Sequence, residues 1–247
     1  MEIVDAYCGV GPWQRRDPLL PWKTDDIVAL LDHAGVGRAL VHSNFVDGGG
    51  FAPRGNAQVV EACRAHSRLI PAWTVVPFQH PDEPTLDEQF EAMRGAGARA
   101  LWFLPARGNA RTWIYGDMLG TCARRKVPVF TSCEHLGPED IATLMAAVPA
   151  LRLVLCSAGY RDDWWLFPLL KRHATLSVCT GHYYIPTFNP MRFLQTFRAD
   201  RLLFGSGLPH FSPGGMVAHL AYADIPDADR EKILSGNLIR LLEEAWS

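Results

Sequence analysis

Val127-Pro128-Val129-Phe130-Thr131 is followed by Gly137-Pro138-Glu139-Asp140 and then by Leu151-Arg152-Leu153-Val154-Leu155-Cys156. The flanking runs are short and apolar, the pattern of strands buried on both faces of a parallel sheet. The middle piece opens a helix: its proline suits a first turn, and its two acids face the positive end of the helix dipole. The same alternation extends in both directions. Apolar runs at residues 2–6, 38–42, 69–75 and 98–104 come before, and runs at 175–179 and 201–205 come after. Helical patterns fill the gaps. After Thr24, Asp25 and Asp26, apolar residues recur at Ile27, Leu30, Leu31 and Ala34, and Gly35 and Gly37 stop the helix. Leu234, Leu238, Leu241, Leu242 and Ala245 form one stripe near the end. Eight strands separated by helices in about 250 residues predict an α/β fold, a single (β/α)8 TIM barrel, as one domain over residues 1–247. An open doubly wound sheet is the rival, but its glycine-rich phosphate turn is missing.

Composition narrows the function classes. The chain has 247 residues, 48% hydrophobic and 20% charged, with 24 basic and 26 acidic side chains for a net charge of 24 − 26 = −2. No basic excess is available to neutralise phosphates, which argues against nucleic acid as a partner. No apolar run approaches the roughly 18 residues that cross a bilayer, so no membrane role is expected. Met1-Glu2-Ile3-Val4-Asp5 starts with an acid and a strand pattern, unlike a secretory signal. Cys8, Cys63, Cys122, Cys133, Cys156 and Cys179 form no C-x-x-C pair and read as reduced thiols of a cytoplasmic protein. The expected partner is a small-molecule ligand.

In such a barrel the site lies at the C-terminal ends of the strands and in the loops that follow. The long connections at 7–23, 43–54, 105–115 and 206–226 carry Trp13, Trp22, Phe45, Phe51, Trp113 and Phe211. Aromatic walls suit a small, planar or apolar ligand; the same rings could equally cap the barrel core.

Several segments carry a family resemblance along nearly the whole chain. They are Val4-Asp5-Ala6-Tyr7-Cys8-Gly9, Leu69-Ile70-Pro71-Ala72, Val127-Pro128-Val129-Phe130 and Leu153-Val154-Leu155-Cys156-Ser157-Ala158-Gly159. Asp200-Arg201-Leu202-Leu203-Phe204-Gly205-Ser206-Gly207-Leu208-Pro209-His210 and Ile233-Leu234-Ser235-Gly236-Asn237 complete the set. In order and spacing the chain resembles amidohydrolase family 2, the metal-dependent TIM-barrel hydrolases and decarboxylases related to aminocarboxymuconate-semialdehyde decarboxylase. The resemblance implies one divalent metal, held by a His-x-His pair after the first strand, a His after each of strands five and six, and an Asp after strand eight. Those positions fall here on Tyr7, Gly9, Ser132, Ser157 and Gly207, none of them a His or a carboxylate. The expectation is therefore no metal and no other cofactor. Cys8, Cys133 and Cys156 lie beside former ligand positions and, by strand alternation, are expected to point away from the barrel interior. Cys179 could point inward, though a single thiolate is a poor site, and His42, His135, His182 and His210, at or just beyond strand ends, are further candidates for a rebuilt metal centre.

Without metal, the catalytic candidates are Asp5, His182 and His210. Asp5 suits acid–base work if burial raises its pKa, or a structural role if it accepts loop hydrogen bonds. His182 could carry a proton at neutral pH. Tyr7, His42, Trp73, Trp102, Arg107, Ser132, Glu134, Ser157, Arg161 and Tyr183 are the candidates for binding substrate. Ser132 or Ser157 could act as a nucleophile given a base within reach. Arg107 and Arg161 could grip a carboxylate with two prongs. Three functions follow: a metal-independent hydrolase or lyase for a small organic acid, amide or lactone; a silent barrel that binds a small molecule or a protein; or a metal enzyme with relocated ligands. Related proteins are often dimers, so an exposed aromatic loop could also serve a homodimer.

Overall fold

The computed structural model describes residues 1–13, 19–77, 82–105, 110–159, 161–181 and 190–247. Eight strands, β1 (Val4–Val10), β2 (Arg38–Ser43), β3 (Leu69–Trp73), β4 (Ala100–Trp102), β5 (Val129–Ser132), β6 (Leu153–Cys156), β7 (Leu176–Cys179) and β8 (Leu202–Leu203), pair in parallel and in sequence order. The helices are α1 (Thr24–His33), α2 (Asn44–Asp47), α3 (Ala52–Ala65), α4 (Leu86–Gly95), α5 (Thr112–Arg124) and α6 (Pro138–Ala147). They continue as α7 (Asp163–Arg172), α8 (Pro190–Phe197), α9 (Pro213–Tyr222), α10 (Asp227–Glu231) and α11 (Asn237–Glu243). The protein is a (β/α)8 barrel, as the alternation predicts. No helix among the described residues is long and apolar enough to cross a membrane.

Strand alternation divides the apolar residues into two layers. Ile70, Ala72, Ala100, Trp102, Phe130, Val154, Cys179 and Leu203 fill the barrel, while Leu69, Trp73, Leu101, Phe103, Val129, Leu153, Val178 and Leu202 pack outward against the helices. The C-terminal stripe splits between them. Leu238, Leu241 and Leu242 of α11 join Val4 and Leu40 in the inner cluster, and Leu234 and Ala245 join the outer one. Asn237 anchors this closure by donating from Nδ2 to the carbonyls of Ala199 and Leu202, at 2.7 and 2.8 Å.

Two irregularities shape the other end. In β1, Asp5 pairs with Ala39 but Cys8 pairs with Val41, so β1 carries one extra residue in that interval. This bulge lets both Ala6 and Tyr7 join the inner cluster, where plain alternation would admit one. Tyr7, expected to begin a loop, thus lies inside a strand that runs on to Val10. The second irregularity is Ser157, whose φ of 54° lies in the left-handed region. Alternation ends there, so Cys156 faces inward while Ser157 still reaches the mouth. This corrects the expectation for Cys156, which lies in the inner cluster and hydrogen-bonds Cys179. Cys8 and Cys133 pack with the outer layer, as expected. Burial pushes the Cys8 and Cys156 thiols well above their ordinary range. All six cysteines are free.

The barrel closes between its first and last strands. Ala6 donates to Phe204 O, Gly9 to Leu208 O, and Gly207 to Tyr7 O, at 3.0, 2.7 and 2.9 Å. Asp5 reinforces the seam: Oδ1 accepts from the backbone N–H groups of Tyr7 and Ser206 at 2.9 Å, and Oδ2 accepts from Ser206 Oγ at 2.5 Å.

Candidate active site

The mouth is built on a stack of rings. His42 stands one residue before the end of β2 and Trp102 ends β4, with ring centroids 3.9 Å apart and planes within 13°. Tyr7 lies parallel to both, 5.5 Å from each. Its hydroxyl accepts a hydrogen bond from Ser157 Oγ at 3.1 Å, which leaves the phenolic hydrogen to donate elsewhere. Burial pushes the Tyr7 pKa far up, so the group stays a phenol. Burial pushes His42 down to about 4, outweighing the attraction of Asp47, so its ring is neutral at pH 7.

Asp47 organises the polar side of the mouth. It ends the short helix α2, whose start is capped by Ser43 Oγ accepting from Val46 N. Asp47 Oδ1 accepts from Trp102 Nε1 at 3.2 Å and pairs with His135 Nε2 at 3.1 Å. Burial alone would raise this carboxyl. The hydrogen bonds from His135 and Trp102 and the nearby His42 ring hold it below its ordinary value instead. An ionised carboxylate only accepts, so His135 carries a hydrogen on Nε2 and turns Nδ1 away from Asp47. His135 is placed by the turn after β5, where its N–H donates to Ser132 O.

The other candidates divide. Ser132 is buried, and its Oγ accepts from Glu134 N at 3.1 Å, so it shapes the turn that carries His135. Glu134 is exposed on the rim yet close enough to act electrostatically on Tyr7, as does Asp47. His210 is exposed, meets Trp13 edge-on at 5.0 Å, and lies within electrostatic range of His42. Arg161 is exposed in the turn ahead of α7. Arg107, His182 and Tyr183 lie outside the described residues.

Two placements depart from expectation. Asp5 is wholly buried with both oxygens engaged in the seam, and burial raises its pKa to about 6 against the pull of those hydrogen bonds. Its carboxylate clasps β1 to β8 and has no face toward a ligand. Trp73 points into the outer layer, because its odd-numbered partner positions in β3 face the helices. It lines a separate cavity of about 1100 Å³ with Phe51, Asn56 and Thr74, to which Tyr7, His42, Asp47 and Ser157 contribute nothing. Among the rim aromatics, Phe51 and Trp113 are 65% and 81% exposed.

The chain matches the family model described as amidohydrolase over residues 9–243. It belongs to this amidohydrolase family. Among curated proteins no sequence relative matches. Among solved structures, similar folds include 2,6-dihydroxybenzoate decarboxylase from Rhizobium, at 15% identity and a TM-score of 0.75, covering 98% of this chain and 99% of that one. A proposed 2-pyrone-4,6-dicarboxylic acid hydrolase from Pseudomonas putida shares 16% identity at a TM-score of 0.74, covering 98% of each chain. A 5-carboxyvanillate decarboxylase from Novosphingobium aromaticivorans, complexed with manganese and a nitrobenzoic acid, shares 12% identity at 0.77, covering 98% and 96%.

The resemblance implies a divalent metal, and the residues at the implied positions do not fit one. Tyr7 and Ser157 hydrogen-bond each other. A Cβ on Gly9 would stand 1.9 Å from Asn44 Oδ1, which fills the space a ligand there would need. A Cβ on Gly207 would meet Phe211 at 3.1 Å and the Tyr7 ring at 3.4 Å, on a backbone with φ of +75°. Among the described residues, no group of three or more His, Cys, Asp or Glu side chains could hold an ion.

Proposed function

We propose that this amidohydrolase-family barrel, with residues 1–247 as one domain, acts on a small organic acid, amide or lactone as a hydrolase or lyase that does without the family's metal. The observation that supports this most is the Tyr7 phenol standing at an implied ligand position, hydrogen-bonded to Ser157 and stacked on His42 and Trp102. Tyr7 can donate its hydrogen to a substrate oxygen as negative charge develops there. His135 can take or return a proton at Nδ1, and Asp47 is the positioning residue that fixes the tautomer and steadies the imidazolium. Tyr7, the partly exposed ring of the stack, can offer its face to an unsaturated substrate. His210 and Trp13 stand at the entrance.

A second reading has its own support: Asp5, an acid–base candidate from the sequence, is sealed into the barrel seam. That loss favours a barrel that binds a small molecule without turning it over. A panel of aromatic acids, amides and lactones, assayed for thermal shift and for turnover on metal-stripped protein, separates the two. Turnover that survives stripping and falls in Tyr7→Phe and His135→Ala supports the enzyme. Binding without turnover supports the silent barrel, and turnover that needs added metal contradicts both.

A further inference from the structure

We infer that Asp47 sets the class of ligand this mouth takes: a planar molecule presenting a hydrogen-bond donor, such as an amide N–H or a hydroxyl, to the Asp47 carboxylate in place of a carboxylate of its own. The inference rests on the small-molecule reading of the mouth and narrows the acids, amides and lactones named there.

Asp47 Oδ1 already serves Trp102 Nε1 and His135 Nε2. Among the described residues none donates to Oδ2, although the side chain keeps 22% of its surface exposed beside the stacked rings. With Oδ1 so engaged, the lone pairs of Oδ2 are open to a donor that a ligand brings. Trp102 and His42 are buried, and Tyr7 is the partly exposed ring of the stack, within electrostatic range of Asp47, so a planar ligand on Tyr7 brings its substituents toward the same carboxylate. A ligand carboxylate placed there would face a like charge, and Glu134 adds a second negative charge near Tyr7. An amide in the same position offers an N–H donor to Oδ2 and a carbonyl to the Tyr7 hydroxyl.

Benzamide and benzoate are matched probes, since they share shape and differ in charge and donors. The experiment measures the binding of each by calorimetry to the full chain. Occupancy of the mouth is read from the ¹⁵N–¹H signal of the Trp102 indole, assigned with Trp102→Phe. Wild type is expected to prefer benzamide by about tenfold or more, given like-charge repulsion at contact distance in a partly buried site. Asp47→Asn keeps an oxygen for Trp102 and His135 but puts a donor in place of Oδ2, and should shrink that preference severalfold. Should that variant fail to fold, the wild-type comparison decides alone. Benzoate binding as tightly as benzamide, or a preference that survives in folded Asp47→Asn, overturns the inference and leaves the mouth a ligand site. If neither probe shifts the Trp102 signal, the mouth reading falls and takes this inference with it.

Discussion

Two buried ionisable groups pull the stability of this barrel in opposite directions between pH 4 and pH 7. His42 titrates near pH 4 in the folded chain against an ordinary value of 6.5. The unfolded chain therefore binds its proton more tightly across that window, and stability falls as pH falls through it. At 1.36 kcal/mol per unit the full shift amounts to about 3.4 kcal/mol, of which about 2 kcal/mol is lost between pH 7 and pH 5. Asp5 works the other way. Its pKa rises from 3.8 to about 6, so the folded chain holds the proton more tightly and acidification stabilises. The charged form costs about 3 kcal/mol at neutral pH, and about 1.3 kcal/mol of that is relieved by pH 5. The test is urea unfolding at pH 7 and pH 5 for wild type, His42→Phe and Asp5→Asn. Phenylalanine keeps a flat ring on Trp102 but cannot charge, so the variant should lose about 2 kcal/mol less than wild type on acidification. With a urea slope of about 2–3 kcal/mol/M, that difference is roughly 0.7–1 M in midpoint. Asp5→Asn should lose more than wild type on acidification, because the compensating protonation is gone. Parallel pH profiles for His42→Phe and wild type would refute the burial of a neutral imidazole in the stack, and parallel profiles for Asp5→Asn would refute the sealed seam.

Further consequences follow from other parts of the barrel. Gly207→Asp combined with Ser157→His should still take up no stoichiometric manganese by titration, because Tyr7 occupies the first-strand position. The Gly207 change should also cost about 1–2 kcal/mol in urea unfolding, for a side chain at positive φ against Phe211. Asn237→Ala should cost about 2–3 kcal/mol in the same assay, because it takes the side-chain donor from the carbonyls of two buried residues, Ala199 and Leu202.

Much of the architecture is legible in the chain, and the limits have physical causes. Eight apolar runs between helical patterns suffice for the barrel, since each strand must bury both faces. Alternation also carries inside-and-outside information: Trp102 shares phase with Ala100 and lies inside, while Trp73 is out of phase with Ile70 and Ala72 and faces the helices. Its placement at the mouth on residue type alone ignored that phase. Cys156 and Tyr7 are harder. A left-handed serine and a one-residue bulge both reset the alternation, and neither has a glycine or proline to announce it. Asp47 was missed for another reason. It sits in Ser43-Asn44-Phe45-Val46-Asp47-Gly48, which reads as a loop, and its partner His135 is 88 residues away. The Ser43 cap on α2 was the one local signal that the segment has a fixed shape.

The account turns on Tyr7 and its neighbours standing where the family's implied ligands would be. Metal content of the purified chain, followed by titration with manganese and zinc, tests this most directly. The account predicts well under one ion per chain and no saturable uptake. One tightly held ion per chain, displaced when His42, Asp47 or His135 is replaced by alanine, would contradict it.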